Sequence, residues 1–244
     1  MYNFEDVLIK VDGADIFCAN ASISFETSYE VDRGVEGRIT YKPSGPGIGN
    51  LSLSYYVTGS DFLYNLIEDS LETPISGSFA GLYFNSGYLT NHSLSVVNNN
   101  LATANCSISF YDEIKGSIET GRANYNHVPL GHSSRSYIDS YYGAGNNFQF
   151  SLSNNIRYSV DFNGHSHIPR NVRKTNIDTS LLIEGDDIGN YLYWSGQSGL
   201  SQLHICDIHG SSLQSYGITG RIISKNIDIN GEYIIGSVNI TQVR

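Results

Sequence analysis

LSLSYYVTGSDFLYNLI, residues 51–67, changes its period half-way along. Leu51, Leu53 and Tyr55 alternate with Ser52, Ser54 and Tyr56, the period of two of a strand with one buried face, which predicts a strand near 50–58. Beyond Gly59 the spacing becomes helical, with Phe62/Leu66 and Leu63/Ile67 forming apolar pairs four apart. Ser60 is placed to cap that helix, and Asp61 puts negative charge in its first turn. Pro74 stops the helix by about residue 72.

Outward from this stretch the chain repeats itself. SLLIEGDDIGNYLYW, from Ser180, echoes it as strand, Gly, carboxylates and helix, with an offset between Gly59 and Gly185 of 126 residues. Upstream, Ile23-Ser24-Phe25 precedes the first copy as Phe150-Ser151-Leu152 precedes the second. Downstream, 88–110 resembles 217–240. The first copy reads as strands near 20–27, 36–42 and 50–58, a helix, then strands near 87–97 and 102–111 joined at Asn98-Asn99-Asn100. The second reads as strands near 148–153, 156–162, 176–184, 217–224 and 232–242, with a helix over 186–195 interrupted by Gly189. Asp228-Ile229-Asn230-Gly231 joins the last two strands, Asn-Gly being a strong hairpin signal. This predicts a mainly β fold of two tandem β-sandwich or barrel modules, each with one short flanking helix: 1–114, a Tyr-rich connection at 115–147, and 148–244.

Composition agrees with a mainly β chain. The 244 residues hold 18 Tyr, 10 Phe and 25 Gly, but one Met and one Trp. Tyr, Phe, Ile and Thr suit pleated surfaces, and Gly and Asn supply turns. With 40% hydrophobic and 16% charged residues, a disordered chain is excluded. No stretch approaches the roughly 20 apolar residues of a membrane helix, and MYNFEDVLIK lacks the pattern of an export signal, so no membrane partner is expected. A net charge of −10 disfavours a sequence-independent grip on nucleic acid. Cys18, Cys106 and Cys206 share no close spacing and read as reduced, largely buried thiols. The sequons at Asn20, Asn91, Asn105 and Asn239 read as chance in a chain rich in Asn, Ser and Thr.

No catalytic constellation emerges. His204, Cys206 and His209, with His165 and His167, are the nearest approach to a metal site, but on a strand His209 points away from His204 and Cys206. Glu68, Asp69 and Glu72, and likewise Glu184, Asp186 and Asp187, read as solvated carboxylates rather than a glycosidase pair. Arg170, Arg173 and Lys174 read as a loop without an aromatic ladder for single strands. No cofactor, catalytic residue or metal is expected.

The module order, with LSLSYYVTGSDFLYNLI and its echo SLLIEGDDIGNYLYW, resembles the tail-tube family of tailed bacteriophages, which includes tube proteins of type VI secretion machines. That resemblance implies β-sandwich modules flanked by one helix, and a structural virion protein without enzyme activity. Three duplicated chains would close a pseudo-sixfold ring, and stacked rings would form a tube through which DNA passes without specific binding. The partners implied are further copies of the chain and other tail or baseplate proteins, with assembly in the host cytoplasm. Asp112, Glu113 and Asp228, placed at hairpins, are the acidic residues expected to face the lumen, and loops 28–50 and 115–147 the contacts between rings. The competing expectation is a carbohydrate- or receptor-binding β-sandwich, since aromatic rings stack on sugars and Asn side chains bond hydroxyls.

Overall fold

The computed structural model describes residues 7–27, 29–69, 72–97, 100–121, 135–138, 141–143, 149–162, 169–185, 199–206, 212–230 and 233–244. In chain order the elements begin with β1 (Ile9–Val11), β2 (Ala14–Ile16), β3 (Cys18–Glu26), β4 (Tyr29–Arg33), β5 (Ile39–Pro43), β6 (Ile48–Tyr56) and α1 (Phe62–Asp69). There follow β7 (Ile75–Phe79), β8 (Leu82–Val97), β9 (Thr103–Phe110), β10 (Arg135–Ile138) and β11 (Tyr141–Gly143). The remainder is β12 (Gln149–Phe162), β13 (Pro169–Gly185), β14 (Gly199–Cys206), β15 (Ser212–Asn230) and β16 (Tyr233–Val243). The fold is mainly β with one short described helix, as the alternation of apolar and small polar residues predicts. The helix expected over 186–195 lies outside the described residues.

Among the described residues fourteen strands form one antiparallel sheet, and β4–β5 stands apart as a two-stranded hairpin. The two halves run through the same order of pairing: β7-β8-β9-β6-β3 in the first, β14-β15-β16-β13-β12 in the second. Registers correspond as well. Leu51 faces Ile23 and Ile108 on its two sides, as Leu181 faces Leu152 and Ile240. In this correspondence Gly185 stands at the position of Tyr55, so the sequence echo between Gly59 and Gly185 is shifted by four residues. Between the halves the ladder does not break, because β12 pairs with β8 from Gln149↔Val97 to Asn155↔Asn91.

Several elements depart from the sequence expectation. The strands expected at 148–153 and 156–162 are one strand, β12, and the segment of Arg170, Arg173 and Lys174 is not a loop but the start of β13. Each is long because β12 and β13 support one another well past the edge of β8. The β1–β2 and β7–β8 hairpins were not anticipated. Both turn on two residues with positive φ, Asp12-Gly13 and Ala80-Gly81, the geometry that matches strand twist.

The core of the first half is built around Phe84 and Phe110, whose rings stack with centroids 4.2 Å apart and planes 6° from parallel. Gly49, Gly77 and Gly87 make room for them, and a Cβ at Gly49 would run into the Phe110 ring. The halves share a further aromatic junction, in which Tyr88 packs edge-on against Tyr158 at 5.5 Å and Tyr111 against Phe162 at 5.7 Å. The Tyr158 hydroxyl donates to the Leu89 carbonyl at 2.8 Å, which ties the β12 extension to β8. Gly49→Ala is expected to lower stability by about 1–3 kcal/mol through overpacking against Phe110, measured by urea denaturation; an unchanged midpoint would show that the ring stack yields freely.

Candidate functional site

Two sites emerge, one buried and one exposed. The buried one centres on Asp61, which precedes α1 and is 3% exposed. Its Oδ1 accepts the backbone N–H of Tyr64 at 3.2 Å, so Asp61, not Ser60, caps the helix. The Tyr55 hydroxyl donates to Oδ1 at 2.7 Å, and His92 Nε2 (3.0 Å) and the Tyr216 hydroxyl (2.8 Å) donate to Oδ2. The backbone N–H of Asp61 donates to Gln214 Oε1 at 2.9 Å. The Tyr64 ring lies between, 4.5 Å from Tyr216 and 5.6 Å from His92. Residues of β6, α1 and β8 thus meet residues of β15 around one carboxylate.

Burial alone would push the Asp61 carboxyl up. The hydrogen bond and charge of His92, then the Tyr55 and Tyr216 hydroxyls, outweigh it and hold the group below its usual value of 3.8. Burial, followed by the Asp61 charge, pushes the Tyr55 phenol well up, and the same two effects act on Tyr216, so both remain donors. His92 Nδ1 and Asn154 Nδ2 are buried without partners and belong to residues directly paired across β8 and β12. Asn154 Oδ1 accepts from Thr179 Oγ1 at 2.8 Å, which carries the polar line on into β13. With its oxygens fully engaged and solvent excluded, Asp61 serves to join elements rather than to react.

The exposed site is the opposite face of the sheet. Along one cross-strand row lie Asn20, Ser54, Asn105, Ser93, Ser153, Ser180 and Thr241. The next row holds Ser22, Ser52, Ser107, Asn91, Asn155 and Asp178. Asn91 Nδ2 donates to Asn155 Oδ1 at 2.8 Å across the junction of the halves. A shallow open depression of about 300 Å³ lies over Asn20, Ser54 and Asn105. The sequon asparagines Asn20, Asn50, Asn91, Asn105 and Asn239 all belong to these strands' outward positions, so Asn-x-Ser/Thr here is the by-product of a two-residue period of small polar side chains.

The residues singled out from sequence fall elsewhere. Asp112 turns its carboxylate back onto β8, accepting from the backbone N–H of Asn85 (2.9 Å) and Ser86 (3.1 Å) and from Ser86 Oγ (2.6 Å). Glu113 is exposed beside it, and Asp228 is exposed near the far end of β15, on the same side of the sheet as Asn226 and Ser237. His204 Nδ1 lies 2.8 Å from Ser215 Oγ, while His165, His167, His209 and the Cys206 side chain lie outside the described set. Among the described residues no group of His, Cys, Asp and Glu is arranged to hold a metal, and no helix is long and apolar enough to cross a membrane. Glu72 is exposed and Glu184 meets Gln149 across strands; Asp186, Asp187 and the side chains of Glu68 and Asp69 are not described. Burial pushes the Cys18 thiol up to about 12 and the Cys106 thiol well above its usual value, so neither is an activated nucleophile. His92 and Tyr216 are not among the residues expected from sequence, although a histidine two residues before Leu94 and four before Val96 on a strand marks a polar group on a core face.

Asp61→Asn is expected to cost about 3–5 kcal/mol, because it removes the charge that three side-chain donors were buried to meet. Since the folded carboxyl is held below 3.8, its contribution is whole above that pH and fades as the pH falls through the folded value. Urea midpoints should therefore drop more steeply in the unmodified protein than in Asp61→Asn between about pH 4 and pH 2; parallel profiles would overturn the assignment.

No known family model and no curated protein sequence matches the chain.

Proposed function

We propose that the chain is a structural virion subunit that builds a bacteriophage tail tube, or a ring continuous with it, from three copies per pseudo-sixfold ring. The observation that carries this reading is the repeated strand order whose hydrogen bonding runs on from β8 into β12. Two similar units joined edge to edge are half-way to a closed wall, and the same kind of contact between chains would complete it without leaving bare strand edges. This makes the first and second halves successive copies of one tube module.

The neutral face supports the same reading. From Asn20 to Thr241 the central row carries hydroxyls and amides and neither Lys nor Arg. As a channel lining its centre gives DNA phosphates no cation to release counterions against; Arg221 stands opposite Thr241 at the β15 end, Arg157 is paired with Asp178, and the overall charge of −10 adds repulsion. The lining therefore slides past DNA across an uncharged centre, with Arg221 and Asp228 both set toward the β15 end. The β4–β5 hairpin exposes Tyr29, Val31, Ile39 and Tyr41, an apolar contact suited to the neighbouring ring in a stack. A carbohydrate-binding module is the second reading, favoured by the Asn and Ser side chains around the depression.

Negative-stain electron microscopy of concentrated protein should show threefold rings and tubes. A Ser93→Arg/Ser153→Arg variant of those rings should retain duplex DNA that the unmodified rings release, in a filter-binding assay at low salt. Single chains at every concentration, together with capture by a glycan array, would overturn the tube in favour of the sugar-binding module.

A further inference from the structure

We infer that the outer end of the β15–β16 hairpin is a self-association surface, covered by the first half of a second copy of this chain. The inference rests on the ring reading and adds which surface makes the contact. Its basis is a pair of matching irregularities. The β8–β9 register shifts between Leu89 and Asn91, opposite Ile108 and Ser107. The β15–β16 register shifts between Ile222 and Ser224, opposite Ile240 and Asn239. Superimposing the two shifts places His92, Leu94 and Val96 on Lys225, Ile227 and Ile229, and Ala102, Ala104 and Cys106 on Ile234, Gly236 and Val238.

Equivalent positions have opposite surroundings. In the first half, His92, Leu94, Val96, Ala102, Ala104 and Cys106 are at most 2% exposed. They lie on the face where Tyr64 of α1 and Tyr216 of the second half meet His92. In the second half, Ile227, Ile229 and Ile234 are 61%, 81% and 61% exposed. Three isoleucines on one side of a hairpin, continuous with the core positions Val238 and Ile240, form an apolar stripe that runs off the end of the covered region. Within the chain, Tyr64 of α1 and Tyr216 of the second half both pack on this face of the first. The same step taken once more puts the first half of a following copy over the second, a head-to-tail contact that repeats until it closes.

Charge favours that order of contact. Residues 1–114 hold 4 basic and 14 acidic side chains, whereas 148–244 hold 7 and 8. First halves meeting one another would set two strongly acidic surfaces together. A first half meeting the second, with Arg221 and Lys225 on the same strand as the stripe, avoids that repulsion.

The test compares unmodified protein with Ile227→Asp/Ile229→Asp/Ile234→Asp by mass photometry and light scattering. The unmodified protein should form assemblies of three chains or multiples of three, and the variant should stay a single chain with unchanged circular dichroism. Hydrogen exchange on the unmodified protein gives a second readout: amides of 223–235 should exchange at least ten-fold more slowly in concentrated than in dilute solution. Variant assemblies like those of the unmodified protein would overturn this surface while leaving the ring reading intact. Slow exchange at every dilution would do the same, since the chain's own residues would then be the cover. Unmodified protein that never assembles would overturn both.

Discussion

The Asp61 carboxylate is the point on which the rest of the structure depends. A carboxylate in an apolar interior is costly unless each oxygen is met, and here four donors from separate parts of the chain meet it. Because the donors sit on β6, α1, β8 and β15, the charge specifies one arrangement of these elements. Apolar packing is non-directional. A carboxylate with directional partners is not, so the node helps to set where the second half lies against the first.

That constraint explains why the two faces of the sheet differ so much in character. The inner face holds large apolar side chains and a single polar line from Tyr55 through Asp61, His92 and Asn154 to Thr179. The outer face uses Ser, Asn and Thr, which are short enough to leave the sheet surface flat and carry no charge along the central row from Asn20 to Thr241, beyond which Arg221 follows on β15. Long cationic or apolar side chains there would invite adhesion.

Local patterns carried the fold class well. Leu51, Leu53 and Tyr55 are buried while their neighbours are not, and Phe62–Asp69 is the helix that the change of period announces. The paired order of the two halves left a trace too, although small differences in strand length moved the apparent match from Tyr55 to Gly59. The Asp61 site was not legible, because Tyr216 lies 155 residues from its partner and nothing local marks the pair. Asp12-Gly13 is a readable hairpin signal, whereas Ala80 at positive φ is not, since alanine has no preference for that conformation. The polar face is legible in principle, for Asn-x-Ser recurs at strand period, although each sequon by itself reads as chance.

The long separation within the Asp61 node has a bearing on biosynthesis. A ribosome delivers Asp61, Tyr55 and His92 well before Gln214 and Tyr216 leave the exit tunnel. Until then the first half lacks the Tyr216 hydroxyl and the Gln214 amide that complete the hydrogen bonds of Asp61, and β8 lacks β12 as its neighbour. Completion of the native state is thereby tied to the last quarter of translation, and a prematurely terminated product lacks the groups that seal it.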